Sequence, residues 1–526
     1  MMGRRMAPAG PEVWVVCREL IPAGSVFAFL AEHRRVLFPP ESFADMYAPV
    51  NGRPSVPPDL LATVVVLQAL HGLSDAEAVA ALRFDLRWKA ACGLGLYDQG
   101  FDPSLLIYFR RRLARSADPD RIFQTVRAVI AQTGVLAGRI RRALDSTVLT
   151  DAVATQDTIT QLIAAIRRVA RQVPGAAAIV ATHCHAHDYT DPGKPKIAWD
   201  DEQAKTALVS GLVTDALTLL DQVAGQDLDE PAAGAVGLLA LIAGQDVEPA
   251  DGSDGTDGRW RIARRTSPDR IISTVDPEAR HIHKSAQQRQ DGYKAHLAVE
   301  PETGLFTAVA LRPGAGADHH EAALTPQLLC GESGPLQILA DAAYAAADLR
   351  AALTAAGHRL LIKPPALKPA VPGGFTLDDF HIDTTAGMVT CPAGHIVALA
   401  APAGRYQQRR ATFTGLCAAC PLRDQCTTAK TGRILTIRPH HDLQAAARHQ
   451  AATDPDWQDD YRRWRPMVER AVAWLVARGN RRLPYRGTHG NDRWLHHRAA
   501  ALNLRRLVNL GLAYLNNTWM LTPTTP

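Results

Sequence analysis

Three carboxylates stand out by the company they keep. Asp145 interrupts an apolar run in ALDSTV, and Asp341 closes another in QILADAAY. Glu469 lies in YRRWRPMVERAVAWLV, where Trp464, Val468, Val472 and Leu475 recur at helical spacing. A carboxylate placed where a strand leaves a core can reach into the crevice at the sheet's end. Three oxygen ligands from separate elements suit Mg2+, which keeps water in its shell and shares that shell with substrate phosphates. Two such ions about 4 Å apart can activate a water and stabilise a leaving 3′ oxygen. Each acid also has a plainer account. An Asp before Ser-Thr is often a turn or cap residue, and Glu469 stands one helical turn from Arg465.

Cys391, Cys417, Cys420 and Cys426 form a second constellation, apart from the scattered Cys17, Cys92, Cys184 and Cys330. The Cys417-x2-Cys420 pair has metal-ligand spacing, and Cys391 and Cys426 complete a tetrahedral thiolate set with His395 as a substitute. One structural Zn2+ is the reading this spacing favours; a loop of reduced thiols is the alternative. His183, His185 and His187 share one face if HCHAHD is extended, as in hydrolytic zinc sites, but Asp188 follows the last His instead of preceding it. A solvated loop fits better. The acids of DGSDGTDG recur every three residues, not every two, so the segment fails the calcium-loop template and reads as a turn. Trp260 and Arg261 beside it have the chemistry to stack on an unpaired base, with core burial the stronger expectation for the Trp.

These residues need elements to hold them. Leu60–His71 is an apolar run ending at Gly72, and Ser74 with Glu77 three residues later is a capping-box pattern opening a second helix. An Arg-rich helix with Arg110, Arg111 and Arg112 begins near Ser104, which makes a helix-turn-helix arrangement. Strand character appears at Ile140–Leu149, at Tyr293–Val299 and Leu305–Leu311 around a Pro-Glu-Thr-Gly turn, at Leu336–Tyr344 and at His358–Pro365. Helical stretches lie between, pointing to a mixed α/β core. Residues 153–265 read as a mostly helical insertion and residues 366–435 as a cysteine-bearing one.

At 526 residues the chain suggests three or four folding units. With 47% hydrophobic and 21% charged residues, it is neither disordered nor fibrous. The longest apolar runs, Leu60–Leu70 and Ala232–Gly244, fall short of the roughly 20 residues that cross a bilayer, so no membrane is expected. MMGRRMAPAG has no apolar region behind its basic residues, and a cytoplasmic protein is expected, nucleoid-associated when bound to DNA. The net charge of +5 hides a lopsided distribution: 49 Arg against 9 Lys, with 12 Arg and two acids between Tyr461 and Leu510. That segment carries +10 and the remainder about −5, which marks it as a phosphate-neutralising surface.

The order strand-Asp, hairpin, helix, strand-Asp, then helix-Glu is that of a ribonuclease H-like core. The chain resembles the bacterial insertion-sequence transposases of the DDE type, in the subgroup with cysteine-bearing insertions. The resemblance is carried by GRPSVPPDLLATVVVLQALHGLSDAEAVAALRFDLRWKAACGL, ALDSTVL, DGYKAHLAVEPETGL, ILADAAY, CPAGH…CAACPLRDQC and YRRWRPMVER. It implies an α/β fold: a ribonuclease H-like mixed-sheet core from 138–152, 266–365 and 440–515, a helical DNA-binding domain over 1–125, and the two insertions. It implies Asp145, Asp341 and Glu469 as catalytic residues holding two Mg2+, with Mn2+ able to substitute. In the related signature, Arg465 and Glu469 fit, Arg462 takes a Tyr position beside Tyr461, and Val476 replaces a Lys. Arg462, Arg465, Arg478, Arg481 and Arg482 become candidate contacts to double-stranded DNA, both element ends and target, with a homodimer or higher assembly when two ends are synapsed. The alternative is a catalytically inactive, transposase-derived DNA-binding protein.

Overall fold

The computed structural model describes residues 1–3, 7–49, 54–264, 267, 269–283 and 289–522. The Arg141–Thr150 stretch buries Ala143, Leu144, Val148 and Leu149 and becomes the middle strand, β1, of the central sheet. Among the described residues that sheet has six strands, the others being β2 (Arg280–His283), β3 (Arg289–Glu300), β4 (Leu305–Pro313), β5 (Gln337–Ala340) and β6 (Arg359–Ile362). β3 runs antiparallel to β1. Its far edge pairs antiparallel with β4 and, further along, with β2. On the other side of β1, β5 and then β6 run parallel. The expected hairpin is the β3–β4 pair, whose Pro301–Gly304 turn is held by the Glu300 carboxylate accepting from the Glu302 and Thr303 amides. Where β3 meets the end of β1, Gly292 has φ 133, and a Cβ there would lie 2.4 Å from the Leu149 carbonyl oxygen. Only glycine fits that approach. Residues 284–288, within the expected core, lie outside the described residues.

Helices cover both faces. Glu321–Leu329 and Ala347–Ala355 pack with Leu144, Ala298 and Ile338 on one side. The 22-residue helix Pro455–Val476 packs Trp457 and Val468 against Ala143, Leu339 and Leu361 on the other. Its start is set by Asp454, whose carboxylate accepts from the Trp457 amide, and by Pro455 at the first turn. The last long helix, Thr488–Asn509, buries Leu502, Leu504 and Leu507 in the same core as Leu297, Phe306 and the N-terminal helices.

The N-terminal region is helical as expected. Pro58–His71 ends at Gly72 in the left-handed region, the Ser74–Glu77 capping box is formed, and Asp75–Phe84 departs at 109°. That angle and the short Gly-containing turn are those of a helix-turn-helix. Residue 125 falls inside the helix Arg121–Thr133, and Val126 and Ile130 share one core with the sheet, so this region is not packed as a separate body. No single helix among the described residues is long and apolar enough to cross a membrane; Pro58–His71 with Asp75–Phe84 passes on composition only as a bent pair.

Both insertions have cores of their own. The first joins helices Thr158–Gln172, Ala176–His183, Glu202–Gln222 and Glu230–Gln245 around Leu162, Ile166, Leu212 and Leu239. Its Asp251–Gly258 segment closes a hairpin between Val247–Pro249 and Trp260–Ile262, where Asp251 pairs with Arg261 at 2.6 Å and Trp260 is partly buried against the helices. The second holds a three-stranded sheet (His381–Asp383, Met388–Thr390, Ile396–Ala398) and a two-stranded one (Arg409–Thr412, Ile434–Ile437) around Phe380, Val389, Phe413 and Leu435.

Arg498, one of the 12 arginines in the basic C-terminal segment, turns inward. It is 1% exposed, and its guanidinium donates to the carbonyls of Ala69, Leu70, Trp474, Leu475 and Ala477 at 2.5–3.2 Å. These carbonyls end the helices Pro58–His71 and Pro455–Val476, where the helix dipole favours a cation. Burial lowers its pKa to about 10, so it remains charged at neutral pH. Arg498→Ala leaves the carbonyls of Ala69, Leu70, Trp474 and Leu475 without this donor, Ala477 keeping its bond from Asn480, and is expected to lower unfolding stability by at least about 3 kcal/mol in urea titrations. A change below about 1 kcal/mol would contradict this account.

Candidate active site

Asp145 sits midway along β1, opposite Leu297, on the face covered by Pro455–Val476. It is 8% exposed, and its Oδ1 accepts from the Ser146 amide at 2.8 Å. Asp341 follows the last residue of β5 and caps a short turn, accepting from the Ala343 amide at 2.9 Å. Glu469 projects from Pro455–Val476 with most of its side chain exposed. The helix aims Arg465, one turn earlier, between all three. Arg465 Nη2 lies 2.9 Å from Asp145 Oδ2 and 3.7 Å from Asp341 Oδ2, and its Nε lies 4.0 Å from Glu469 Oε1. Arg465 Nη1 also donates to the Leu144 carbonyl at 3.3 Å. The three acids are thus drawn together, grading from a buried floor to an exposed rim. Pro466, inside the helix, removes the amide that the Arg462 carbonyl would accept, which loosens the ladder beside Arg465.

Burial pushes the Asp145 carboxyl above its usual range; Arg465 opposes this, and the nearby Asp341 adds to it. The donor set fits a divalent cation in kind, because two aspartates already bracket one cationic nitrogen. Among the described residues no three potential ligands stand at coordinating geometry, since the guanidinium lies between them.

Several partners were not anticipated from sequence. Ser146 points to the opposite face, where its hydroxyl donates to Glu321 at 2.7 Å, and Lys294 Nζ bonds the same oxygen at 2.8 Å. Burial raises Glu321, but Lys294 and the Ser146 hydroxyl together hold the carboxyl below its usual range. The neighbouring His296 is lowered to about 4 by burial. Two polar residues at alternate positions in YKAHLAV were the available signal. Tyr344 is fully buried with its hydroxyl unpartnered, and burial together with Asp145 pushes it well above the usual tyrosine range. Tyr461, not Arg462, faces the acids: it stacks on Trp457 at 5.2 Å and feels Asp341 and Asp145, whereas Arg462 is exposed and pairs with Asp459.

The other candidate arginines divide. Arg110 is held by Asp75 at 2.5 Å and by Gln68, and Arg112 lies over Tyr47. Arg111 and Arg482 are exposed. Arg478 is exposed and bonds His71, whose pKa burial lowers to about 4; Arg481 donates to the Val148 carbonyl at 3.0 Å. Arg110, Arg478 and Arg482 line a groove of about 780 Å³ between the first helix pair and the Gly479–Tyr485 segment. Cys391, Cys417, Cys420 and Cys426 line one small cavity with His395, remote in sequence from the acids and in a separate core. His183 and His185 are exposed, and His187 Nε2 faces Arg167 at 3.3 Å, so the three imidazoles do not converge.

Two family models match the chain. One, described as a Transposase DDE domain, matches residues 390–508, which include Arg465, Glu469 and all four clustered cysteines. The other, described as a Transposase domain (DUF772), matches residues 16–112, the N-terminal helices. Asp145 and Asp341 lie outside both spans. No curated protein and no solved structure matches the chain. With a transposase domain model matched at either end, around a mixed α/β sheet, the two matches support an insertion-sequence transposase of the DDE type and point to DNA transposition.

Proposed function

We propose that this transposase binds the terminal inverted repeats of its own element, cleaves the ends and joins the freed 3′ hydroxyls to target DNA. The observation that carries the proposal is the meeting of Asp145, Asp341 and Glu469 at one guanidinium. A ribonuclease H-like core belongs to the same proposal. It is supported by the strand order β4-β3-β1-β5-β6, with β3 reversed against β1 and with β5 and β6 parallel to it.

Asp145, Asp341 and Glu469 would hold Mg2+, with Mn2+ as substitute, and two such ions supply charge neutralisation at the scissile phosphate and acidify the attacking water. The protein's own part is positional. The Ser146 amide and the backbone of β1 fix Asp145; the turn after β5 fixes Asp341. Glu469, at the rim, meets the incoming DNA first. Arg465 offsets part of the acids' charge and, on leaving them, is one turn from Glu469 and able to meet a phosphate. In cleavage, water oxygen bonds to phosphorus while the bond to the 3′ oxygen breaks, and that oxygen takes a proton. In joining, the 3′ oxygen bonds to a target phosphorus, and the target's own 3′ oxygen leaves. Synapsis of two ends calls for a homodimer or higher assembly.

Asp145→Ala, Asp341→Ala and Glu469→Ala are each expected to abolish divalent-dependent cleavage of end DNA while leaving end binding intact in gel-shift titrations. Undiminished cleavage by any variant would remove that residue from the site. Binding without cleavage by the unaltered protein would favour the inactive DNA-binding alternative.

Arg465→Gln removes the cation that opposes burial of Asp145. A carboxyl whose folded pKa lies above its unfolded value costs stability once pH passes the ordinary carboxylate range, so stability falls as pH rises. The variant's deficit is therefore expected to be larger at about pH 8 than at about pH 5. Adding Asp145→Asn should remove most of that difference. Thermal melts in EDTA measure it, and an equal deficit at both pH values would count against the charge account.

Phosphate contact by the exposed Arg111 and Arg482 predicts a steep salt dependence of end binding. Changing both to Ala should lower the log–log slope by about 2. An unchanged slope would place the DNA backbone elsewhere.

A further inference from the structure

We propose that Cys391, Cys417, Cys420 and Cys426 form a structural zinc site that holds together the two small sheets of the second insertion. The proposal goes beyond DNA chemistry and does not depend on the acid site.

The four thiols come from two separate turns and a short helix that the fold brings to one place. Cys391 opens the tight turn between Met388–Thr390 and Ile396–Ala398, where the Gly394 amide donates to the Cys391 carbonyl at 2.8 Å and Gly394 takes φ 84. Cys417 and Cys420 lie in the connection between Arg409–Thr412 and Ile434–Ile437, and Cys426 ends the helix Arg423–Cys426 within it. One turn therefore belongs to the three-stranded sheet, and the other three thiols belong to the two-stranded one. All four border a single cavity of about 20 Å³, and none is in a disulfide. That volume is on the scale of a single small occupant.

Two arginines border the four thiols. The Arg433 amide donates to Cys417 Sγ at 3.4 Å, the outer contact that tunes a metal-bound thiolate. The Arg433 side chain lines the same cavity, and its Nε has no hydrogen-bond partner. Arg423 lines it as well, so two cations face a site that would be doubly negative with four thiolates and one Zn2+.

The small core explains why a metal is needed. Phe380, Val389, Leu399, Ala411, Phe413, Leu435 and Ile437 are the buried apolar residues here besides Cys417 and Cys426. A unit of about 60 residues with so few seldom holds itself together without a staple. Among the described residues no three ligands already stand at coordinating distance, so the thiols must draw inward when the ion binds. His395 borders the cavity too, but its segment is already committed through its carbonyl, which accepts from the Cys391 amide at 2.9 Å.

The unit is tied to the helix His441–Thr453, just before the acid-bearing helix, by Arg448 on Asp378 at 2.5 Å and Thr384 on Asp442 at 2.6 Å. The staple thus steadies the return of the chain from β6 to Glu469.

The test is metal analysis of the full chain purified under reducing conditions. About one zinc per chain is expected, falling to below about a tenth in Cys417→Ser/Cys420→Ser and unchanged in Cys330→Ser, whose thiol is exposed elsewhere. His395→Ala should keep its zinc. If the double variant fails to fold, cobalt(II) substitution of the unaltered chain decides: intense thiolate-to-cobalt bands of tetrahedral type support the site. A folded, zinc-free chain without those bands would overturn it, as would a mass showing disulfides among the four cysteines.

Discussion

Everything around the acids depends on fixing one long helix against the sheet, and a buried guanidinium does much of that fixing. Arg498 gathers the carbonyl ends of Pro58–His71 and Pro455–Val476 onto Thr488–Asn509. Five carbonyl oxygens at two helix ends compensate the charge where no carboxylate is needed. The N-terminal transposase domain and the C-terminal one are consequently one packed body. The rotation of Pro455–Val476 about its axis follows, and that rotation decides which side chains meet β1.

A second guanidinium, on the acid-bearing helix itself, solves the opposite problem. Three carboxylates facing one another repel, and Asp145 is buried besides. Arg465 holds them together by placing its single positive charge between all three. The innermost acid is anchored to strand and amide, and the outermost stands mostly exposed beside Arg465. On the reverse face, Ser146, Glu321 and Lys294 form a paired network directly behind Asp145, so the strand that carries the acid is held from both sides.

The insertions leave this arrangement undisturbed because each enters at the end of an element. The helical one follows β1 and the cysteine-bearing one follows β6. Each has its own core, so neither needs apolar surface from the sheet. The acids of DGSDGTDG, which at first look like ligands, are taken by Arg259, Arg261 and their own turn.

The sequence by itself determined the elements and the acids. Ser74 with Glu77, the Pro-Glu-Thr-Gly hairpin, and carboxylates set into apolar strands are local patterns whose physics lies within a few residues. The four cysteines were legible for the same reason, their spacing being short. What only the tertiary structure decided was direction and partnership. Tyr461 rather than Arg462 meets the acids because Tyr461 and Arg465, four apart, share the helix face that the sheet selects. Arg465 and Arg498 turn inward and Arg110 is held by Asp75, although each read from sequence as part of an outward basic surface. An arginine's charge is visible in a sequence, but whether it meets a phosphate, a carboxylate or a helix end is fixed by residues hundreds of positions away.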